Sequence, residues 1–164
     1  MKRYERTRVL VEGDPSLAGE IVRDIETGGS GNGAPAISVL DEPREELVMV
    51  QVRETAEGSL FYLGEALMTS CRVRVDDSVG LGMLLGSNRS RAYELAVIDA
   101  AFSGTDGVRL AARWDARLAE EAARVRGRER AQQEVVERTK VDFSTMDEPG
   151  ASCASEAQEE GEAR

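Results

Sequence analysis

Apolar residues near the start of the chain recur at the spacing of a helix. Asp14 and Pro15 form a helix start, an N-cap followed by proline at the first helical position. The apolar positions behind them share one helical face: Leu17, Ile21, Val22 and Ile25. A glycine-rich segment at residues 28–33 then ends the helix. We interpret it as a flexible linker, because it follows a helix and lacks the Gly-Lys-Ser/Thr ending of a phosphate-binding loop. The pattern predicts two short N-terminal helices.

The middle of the chain alternates apolar and polar residues with the period of a β-strand. Val48, Val50 and Val52 share one face of the first such segment, and residues 60–63 form a second one after a turn at residues 57–58. Residues 65–75 place Leu67, Thr69, Cys71, Val73 and Val75 on one face and Met68, Ser70, Arg72 and Arg74 on the other. Residues 79–85 return after a hairpin turn. The short links predict an antiparallel meander of about four strands.

From Gly86 onward the spacing is helical again. One stripe carries Leu95, Ile98 and Phe102, with Ala92, Ala96 and Ala100 beside it. A long helix rich in alanine, arginine and glutamate is predicted at residues 108–139, with Gly127 as a weak point. The fold class is therefore α+β, with N-terminal helices, the meander and one long C-terminal helix. We predict one domain at residues 1–146 and an acidic, disordered tail at residues 147–164.

The composition excludes several classes of function. The chain has no histidine, so it cannot build a Ser-His-Asp triad or a Cys-His pair, and two isolated cysteines cannot hold zinc. A net charge of −10 disfavours nucleic-acid binding by the whole surface. No apolar run is long enough to span a membrane, and no signal region follows the first residues. Two unpaired cysteines are typical of a reduced, cytoplasmic protein.

One segment has the residues of an anion site. Ser87, Arg89 and Arg91 lie at a predicted helix start, where backbone N–H groups are free to bind a negative charge. An ordinary capped helix start with exposed arginines is the favoured alternative. The glycines at residues 80–86 have the wrong spacing for a dinucleotide-binding loop, and the sheet before them is predicted to be antiparallel.

Three further residues carry reactive groups in unusual surroundings. Asp99 lies in an apolar helix segment, where a general base, an inter-subunit ion pair and a nearby arginine partner are all open, the last being the common case. Cys71 faces inward on its strand, and we expect a buried structural thiol. Glu65 is a candidate for a surface ion pair with Arg72 or Arg74.

Several short motifs follow one another from the second half of the meander to the end of the domain. They are Leu-Gly-Glu-Ala-Leu-Met-Thr at 63–69, Val-Arg-Val at 73–75, Gly-Leu-Gly at 80–82, Gly86, Ala92, Ala-Val-Ile-Asp-Ala at 96–100 and Lys-Val-Asp-Phe-Ser-Thr-Met at 140–146. In this order they resemble the PhnG family, the smallest subunit of the bacterial carbon–phosphorus lyase core complex. The glycine-rich segment and the acidic tail depart from the family pattern.

The resemblance implies a place in phosphonate degradation. In that pathway core subunits of the G, H and I types, with an ATP-binding-cassette-type subunit, replace the adenine of ATP by an alkylphosphonate to give ribose 1-methylphosphonate 5-triphosphate. The resemblance assigns the nucleosidase chemistry to the I-type subunit and a radical step to the iron–sulfur J-type subunit. It therefore implies no catalytic residue, cofactor or metal on this chain, with ATP, Mg²⁺ and the iron–sulfur cluster held by partners.

A surface for such partners can be predicted from the strand pattern. We expect one face of the meander to be buried and the other to meet a partner, because bare glycine backbone beside methionine suits close approach. The candidate interface residues are Met49, Met68, Arg72, Arg74, Gly80 and Gly82 on the sheet, with Phe143 in the closing motif. Two alternatives stay open: a self-associating adaptor without catalytic activity, and an independent nucleotide-binding enzyme that uses Arg89, Arg91 and Asp99.

Overall fold

The computed structural model describes residues 1–29 and 33–140. Its elements, in chain order, are α1 (Arg3–Glu12), α2 (Pro15–Glu26), β1 (Ile37–Arg53), β2 (Leu60–Val75), β3 (Ser78–Leu85), α3 (Arg89–Ser103) and α4 (Gly107–Thr139). The predicted α+β class, the N-terminal helices and the long C-terminal helix are confirmed. The closing motif and the predicted acidic tail lie outside the described residues.

Within the described residues the sheet has three strands and not the four that were predicted. Their order is β1-β2-β3, and both pairings are antiparallel. The prediction was wrong at Gly64, where it ended one strand and began another. In the structure the pairing of β1 with β2 shifts register between Val50 and Gln51, whose partners are Gly64 and Tyr62. Gly64 has φ 153° and lies in this bulge, so one strand bends where two were expected.

Strand β1 also begins earlier than the valine pattern indicated. It covers 17 residues and includes the acidic segment around Pro43. Proline is tolerated there because β1 is an edge strand and its pairing is irregular between Asp41 and Arg44. The strand pattern missed this half, since charge and proline normally argue against a strand.

The helices cover one face of the sheet, which we call the inner face; the opposite face is the outer face. Helix α3 lies directly on β3 and β2, where Cys71 and Val73 point inward and are buried. Its start is capped by Asn88, whose side chain accepts a hydrogen bond from the Arg91 N–H at 3.0 Å. The capped start predicted before α3 is confirmed.

The close approach of α3 to β3 depends on Gly80 and Gly82. Both glycines are buried opposite the alanine stripe of α3. A Cβ at Gly82 would lie 2.6 Å from the Ala96 nitrogen, and one at Gly80 would lie 2.9 Å from the Ala100 Cα. Backbone therefore packs on backbone, and no larger residue fits at either position.

The remaining helices complete a second layer behind α3. Helix α2 buries the predicted stripe of Leu17, Ile21, Val22 and Ile25 together with Ala18. Helix α4 buries Leu110, Leu118 and Val125 in its first part, whereas residues 130–140 are exposed all round. Within the described residues no helix is long and apolar enough to cross a membrane.

Candidate subunit interface

Among residues 1–29 and 33–140 no element covers the outer face of the sheet. On β3 it carries four exposed apolar side chains: Val79, Leu81, Met83 and Leu85. Across the strand pair, Arg72 lies opposite Leu81, Arg74 opposite Val79 and Met68 opposite Leu85. The predicted residues Met68, Arg72 and Arg74 therefore do share one face, and an apolar strip borders them.

The placement of Gly80 and Gly82 on that face was wrong. The register pairs Gly80 with Val73 and Gly82 with Cys71, so both glycines lie on the inner face beneath α3. Met49 is also on the inner side, because it pairs with Glu65 next to the pair of Leu47 with Leu67. Phe143 lies outside the described residues. Alternation identified which residues of one strand share a face, but the register between β2 and β3, which places Gly80 and Gly82 beside Val73 and Cys71, could not be predicted from it.

Two ion pairs within the chain lie on the outer face. The Arg72 guanidinium contacts the Asp41 carboxylate at 2.5 Å, and both side chains are well exposed. Arg44 and Glu46 form a second pair on the same face. Arg72 therefore pairs with Asp41 and not with Glu65, the partner considered from sequence. Exposed ion pairs of this kind add little to the stability of the fold. Their side chains could therefore pair with charges of another molecule at little energetic cost.

The hairpin of β1 and β2 extends well beyond the helices and beyond β3. We call residues 47–67 the arm: residues 47–53 of β1, the connecting turn and residues 60–67 of β2. The last residue of β3, Leu85, pairs with Met68, so β3 does not reach the arm, which has two strands in the described part of the chain. Helix α3 begins at the level of Glu45, whose carboxylate accepts hydrogen bonds from Ser87 and Arg89.

The arm exposes apolar side chains on both of its faces. Eight of its large apolar residues are more than two-fifths exposed: Leu47, Val48, Met49, Leu60, Phe61, Tyr62, Leu63 and Leu67. Two-stranded hairpins are marginally stable in water, and apolar patches of this extent usually mark an interface. Sequence reasoning missed the arm as a site. The available signal was the consecutive apolar residues at 47–50 and 60–63, where a half-buried strand would alternate.

The predicted anion site is occupied by the chain's own groups. The Ser87 hydroxyl donates to Glu45 at 2.8 Å, and Arg89 contacts the same carboxylate at 3.3 Å. This hydrogen bond and charge hold the pKa of the Glu45 carboxyl below its usual value. Arg91 donates to the Pro15 carbonyl at 2.7 Å and pairs with Glu94. The capped helix start with satisfied arginines therefore describes this segment better than an anion site.

Asp99 is a buried carboxylate at the centre of an ion cluster. Arg3 binds both of its carboxylate oxygens at 2.6 Å, and the Leu81 backbone N–H donates to it at 3.1 Å. The Arg6 guanidinium lies 3.6 Å away and stacks over the Phe102 ring at 4.3 Å. Burial lowers the pKa of Arg6, and the Asp99 charge opposes that shift. Asp99 thus fastens α1 to α3 and β3, which corresponds to the arginine-partner interpretation.

The other buried polar groups also serve the fold. The Cys71 thiol is buried, and burial raises its pKa, which disfavours the reactive thiolate. Glu121 accepts from the Asp14 backbone N–H at 3.0 Å and pairs with Arg124. Among residues 1–29 and 33–140 no group of three or more metal-ligating side chains is arranged to hold an ion.

Comparison with known proteins identifies the relatives of this chain. Residues 1–147 match the model of a family described as "Phosphonate metabolism protein PhnG". A protein from Rhizobium meliloti (strain 1021) is 32% identical over 149 residues, which cover 88% of each chain. That relative is the alpha-D-ribose 1-methylphosphonate 5-triphosphate synthase subunit PhnG.

Proposed function

This chain belongs to the PhnG family, and from that premise we propose that it is a subunit of a ribose 1-methylphosphonate 5-triphosphate synthase in phosphonate metabolism. The assembled synthase would replace the adenine of ATP by methylphosphonate. This chain would serve assembly, and the reacting groups would lie on its partners.

The observation that carries the assembly role is the uncovered apolar surface. The arm and the outer face together expose the eight apolar residues of the arm and the four of β3. A monomeric protein rarely keeps so much contiguous apolar surface in water. A partner subunit that covers this surface would remove it from water, and the hydrophobic free energy of that burial would stabilise the complex.

The state of the buried polar groups supports a role without catalysis on this chain. Asp99 and Glu121 are held by arginines and backbone N–H groups, and Cys71 has a raised pKa with no histidine in the chain to activate it. None of these groups lines the exposed arm. The independent nucleotide-binding enzyme finds no support, since its Arg89, Arg91 and Asp99 all have partners within the chain.

We propose that the partners are the H-, I- and J-type subunits and an ATP-binding-cassette-type subunit. In this proposal ATP with Mg²⁺ and the iron–sulfur cluster belong to those subunits, and the complex works in the cytoplasm. The surfaces offered to them are the arm and the outer face around Met68, Arg72 and Arg74.

Co-expression with the other subunits tests the proposal. The tagged full-length chain should co-purify with them, and the synthase reaction, followed by adenine release, should require it. The double variant Leu47→Ser, Leu63→Ser should weaken co-purification at least about tenfold while its folding stability changes little, because both side chains are exposed. Val108→Ser, which changes an even more exposed apolar residue on α4, is the control and should assemble normally.

Three outcomes would contradict parts of this proposal. Adenine release by the other subunits without this chain would show that the synthase reaction does not require it. Normal assembly of the Leu47, Leu63 double variant would remove the arm from the interface. The outer face is tested separately by Arg72→Glu, which we expect to weaken assembly, and unchanged co-purification of that variant would restrict the interface to the arm.

A further inference from the structure

Strand β2 has an unoccupied edge next to the end of β3. Strand β2 has 16 residues and β3 has 8, so β3 covers only the half of β2 from Met68 to Val75. Gly86, with φ 86°, then turns the chain away toward α3. Residues 60–67 of β2 are paired with β1 on one side and have no strand on the other among the described residues. The gap continues the line of β3.

The backbone groups along this edge are oriented for a further strand. The Leu67 carbonyl accepts a hydrogen bond from the Gly86 N–H at 2.8 Å, which is the last rung on this side. In an antiparallel ladder every second residue directs its N–H and C=O to the same edge. Glu65 therefore directs its backbone groups to the gap, one rung beyond Gly86. Open edges of this kind are templates for strand addition.

The side chains around the gap are apolar with one exception. Residues 60–67 read Leu-Phe-Tyr-Leu-Gly-Glu-Ala-Leu, and Glu65 is their one charge. Leu63 and Leu67 flank it and are 67% and 42% exposed. An added strand would bury apolar side chains at alternate positions and would need a positive charge to pair with the Glu65 carboxylate. A lysine or arginine in the added strand would supply that charge.

We propose that an extended segment of a partner subunit, apolar at alternate positions and carrying a lysine or arginine opposite Glu65, adds to β2 in the gap beyond Gly86. This inference rests on the proposed function, because it describes how another subunit of the synthase binds this chain. Main-chain hydrogen bonds would supply register and the Glu65 contact would supply specificity.

The negative charge of Glu65 favours a strand from a partner subunit over a strand from this chain itself. A second copy would bring its own Glu65 and the same acidic arm, which has three glutamates and one arginine at residues 47–67. The chain's own segment at residues 141–164 has seven acidic residues and one basic residue, so it would also meet Glu65 with like charge. A basic strand from another polypeptide has neither disadvantage.

Hydrogen exchange on the wild-type protein tests the added strand directly. The exchange rate of the Glu65 backbone amide is measured in the full-length chain alone and in the co-purified complex. An added strand should slow its exchange roughly tenfold or more, because a backbone hydrogen bond replaces water at that N–H. Equal exchange in a complex that does form would overturn the inference and leave the proposed function standing. Failure of the wild-type chain to join any complex would instead remove the proposed function.

A charge reversal tests the predicted basic residue. Glu65→Lys should weaken binding to the other subunits at least about tenfold, whereas Glu134→Lys, the same change at an exposed position of α4 outside the arm and the outer face, should have little effect. The circular dichroism melts of both variants should match the wild type. Equal binding by Glu65→Lys would overturn the predicted basic partner. So would a chain that dimerises alone with its Glu65 amide protected, or one whose Glu65 exchange rises when residues 141–164 are removed.

Discussion

Two glycines set the distance between the helical layer and the sheet. Gly80 and Gly82 are buried because the backbone of α3 occupies the space that a side chain would need. From the sequence they were placed on the partner face, since flat backbone suits any close neighbour. The neighbour is the chain's own helix, and the alanines at 92, 96 and 100 are its matching stripe.

We predict opposite effects of alanine at two glycines. Gly82→Ala should lower the free energy of unfolding by about 2–3 kcal/mol or more, because its Cβ would overlap the Ala92 carbonyl and lie 2.6 Å from the Ala96 nitrogen. Gly127→Ala should raise it by roughly 0.5–1 kcal/mol, because its Cβ meets nothing in α4. Urea denaturation of both variants measures the difference. A tolerated Gly82→Ala would mean that α3 can move away from β3.

The Asp99 cluster makes a second prediction at this scale. Asp99→Asn should destabilise the chain by about 3–5 kcal/mol, because Arg6 is buried and would lose its counter-charge. Asp41→Asn also removes an aspartate that pairs with an arginine, but that pair is exposed. It should cost only about 0–1 kcal/mol. Thermal melts of the two variants provide the comparison, and similar losses would show that the Asp99 cluster is not a buried anchor.

At the scale of elements, two segments extend beyond the core in different ways. The arm leaves it as a two-stranded hairpin with apolar faces, and α4 leaves it as a polar helix after its last buried residue, Val125. Arg8 pairs with Glu129 and Arg128 donates to the Glu12 carbonyl, and these contacts join α1 to α4 just beyond Val125. The end of α4 has Val135 and Val136 as exposed apolar residues, too few for the sustained heptads of a coiled coil.

We therefore predict a gradient of protection along α4 in the isolated chain. Amides at residues 131–139 should exchange at least about a hundredfold faster than those at residues 112–125, since a short exposed helix is marginal in water. Hydrogen exchange with fragment analysis measures the profile. Uniform protection to Thr139 would mean that the exposed half is covered by another copy, as the self-associating adaptor requires.

At the scale of the whole molecule, the helices cover one face of the sheet, and in the part of the chain that the structure describes the other face stays open. A domain whose described helices all lie on one side of the sheet completes its core on that side only. The net charge of −10 opposes the association of two copies of the chain, although apolar surface is exposed. This combination suits a subunit whose partner is a different polypeptide.

The free chain should therefore show apolar surface although it is folded. We expect it to bind a fluorescent dye for exposed apolar surface and still to unfold in one cooperative transition. The co-purified complex should bind much less dye per chain, because the arm and outer face would be covered. The Leu47→Ser, Leu63→Ser double variant should also bind less dye than the wild type. Equal dye binding by the free and assembled chain would place the interface elsewhere.

Much of this architecture could be read from local pattern. The helix starts at Asp14 and Asn88, the stripe of α2 and the course of α4 follow from capping chemistry and 3.6-residue spacing, which depend on near neighbours only. The order of short motifs indicated the family before any fold was known. The inward side of β2 was also predicted correctly from Thr69 to Val75.

The tertiary structure decided what alternation cannot express. The period of a strand shows which residues of that strand share a face, but the alignment of faces between neighbouring strands depends on their register, so Gly80 and Gly82 were misplaced. Whether Gly64 ends a strand or bends it depends on the pairing with β1, and the partner of Asp99 comes from 96 residues away. Local chemistry determined the elements of this protein, and long-range packing determined its exposed surfaces, because only the assembled layers show which apolar residues remain in water.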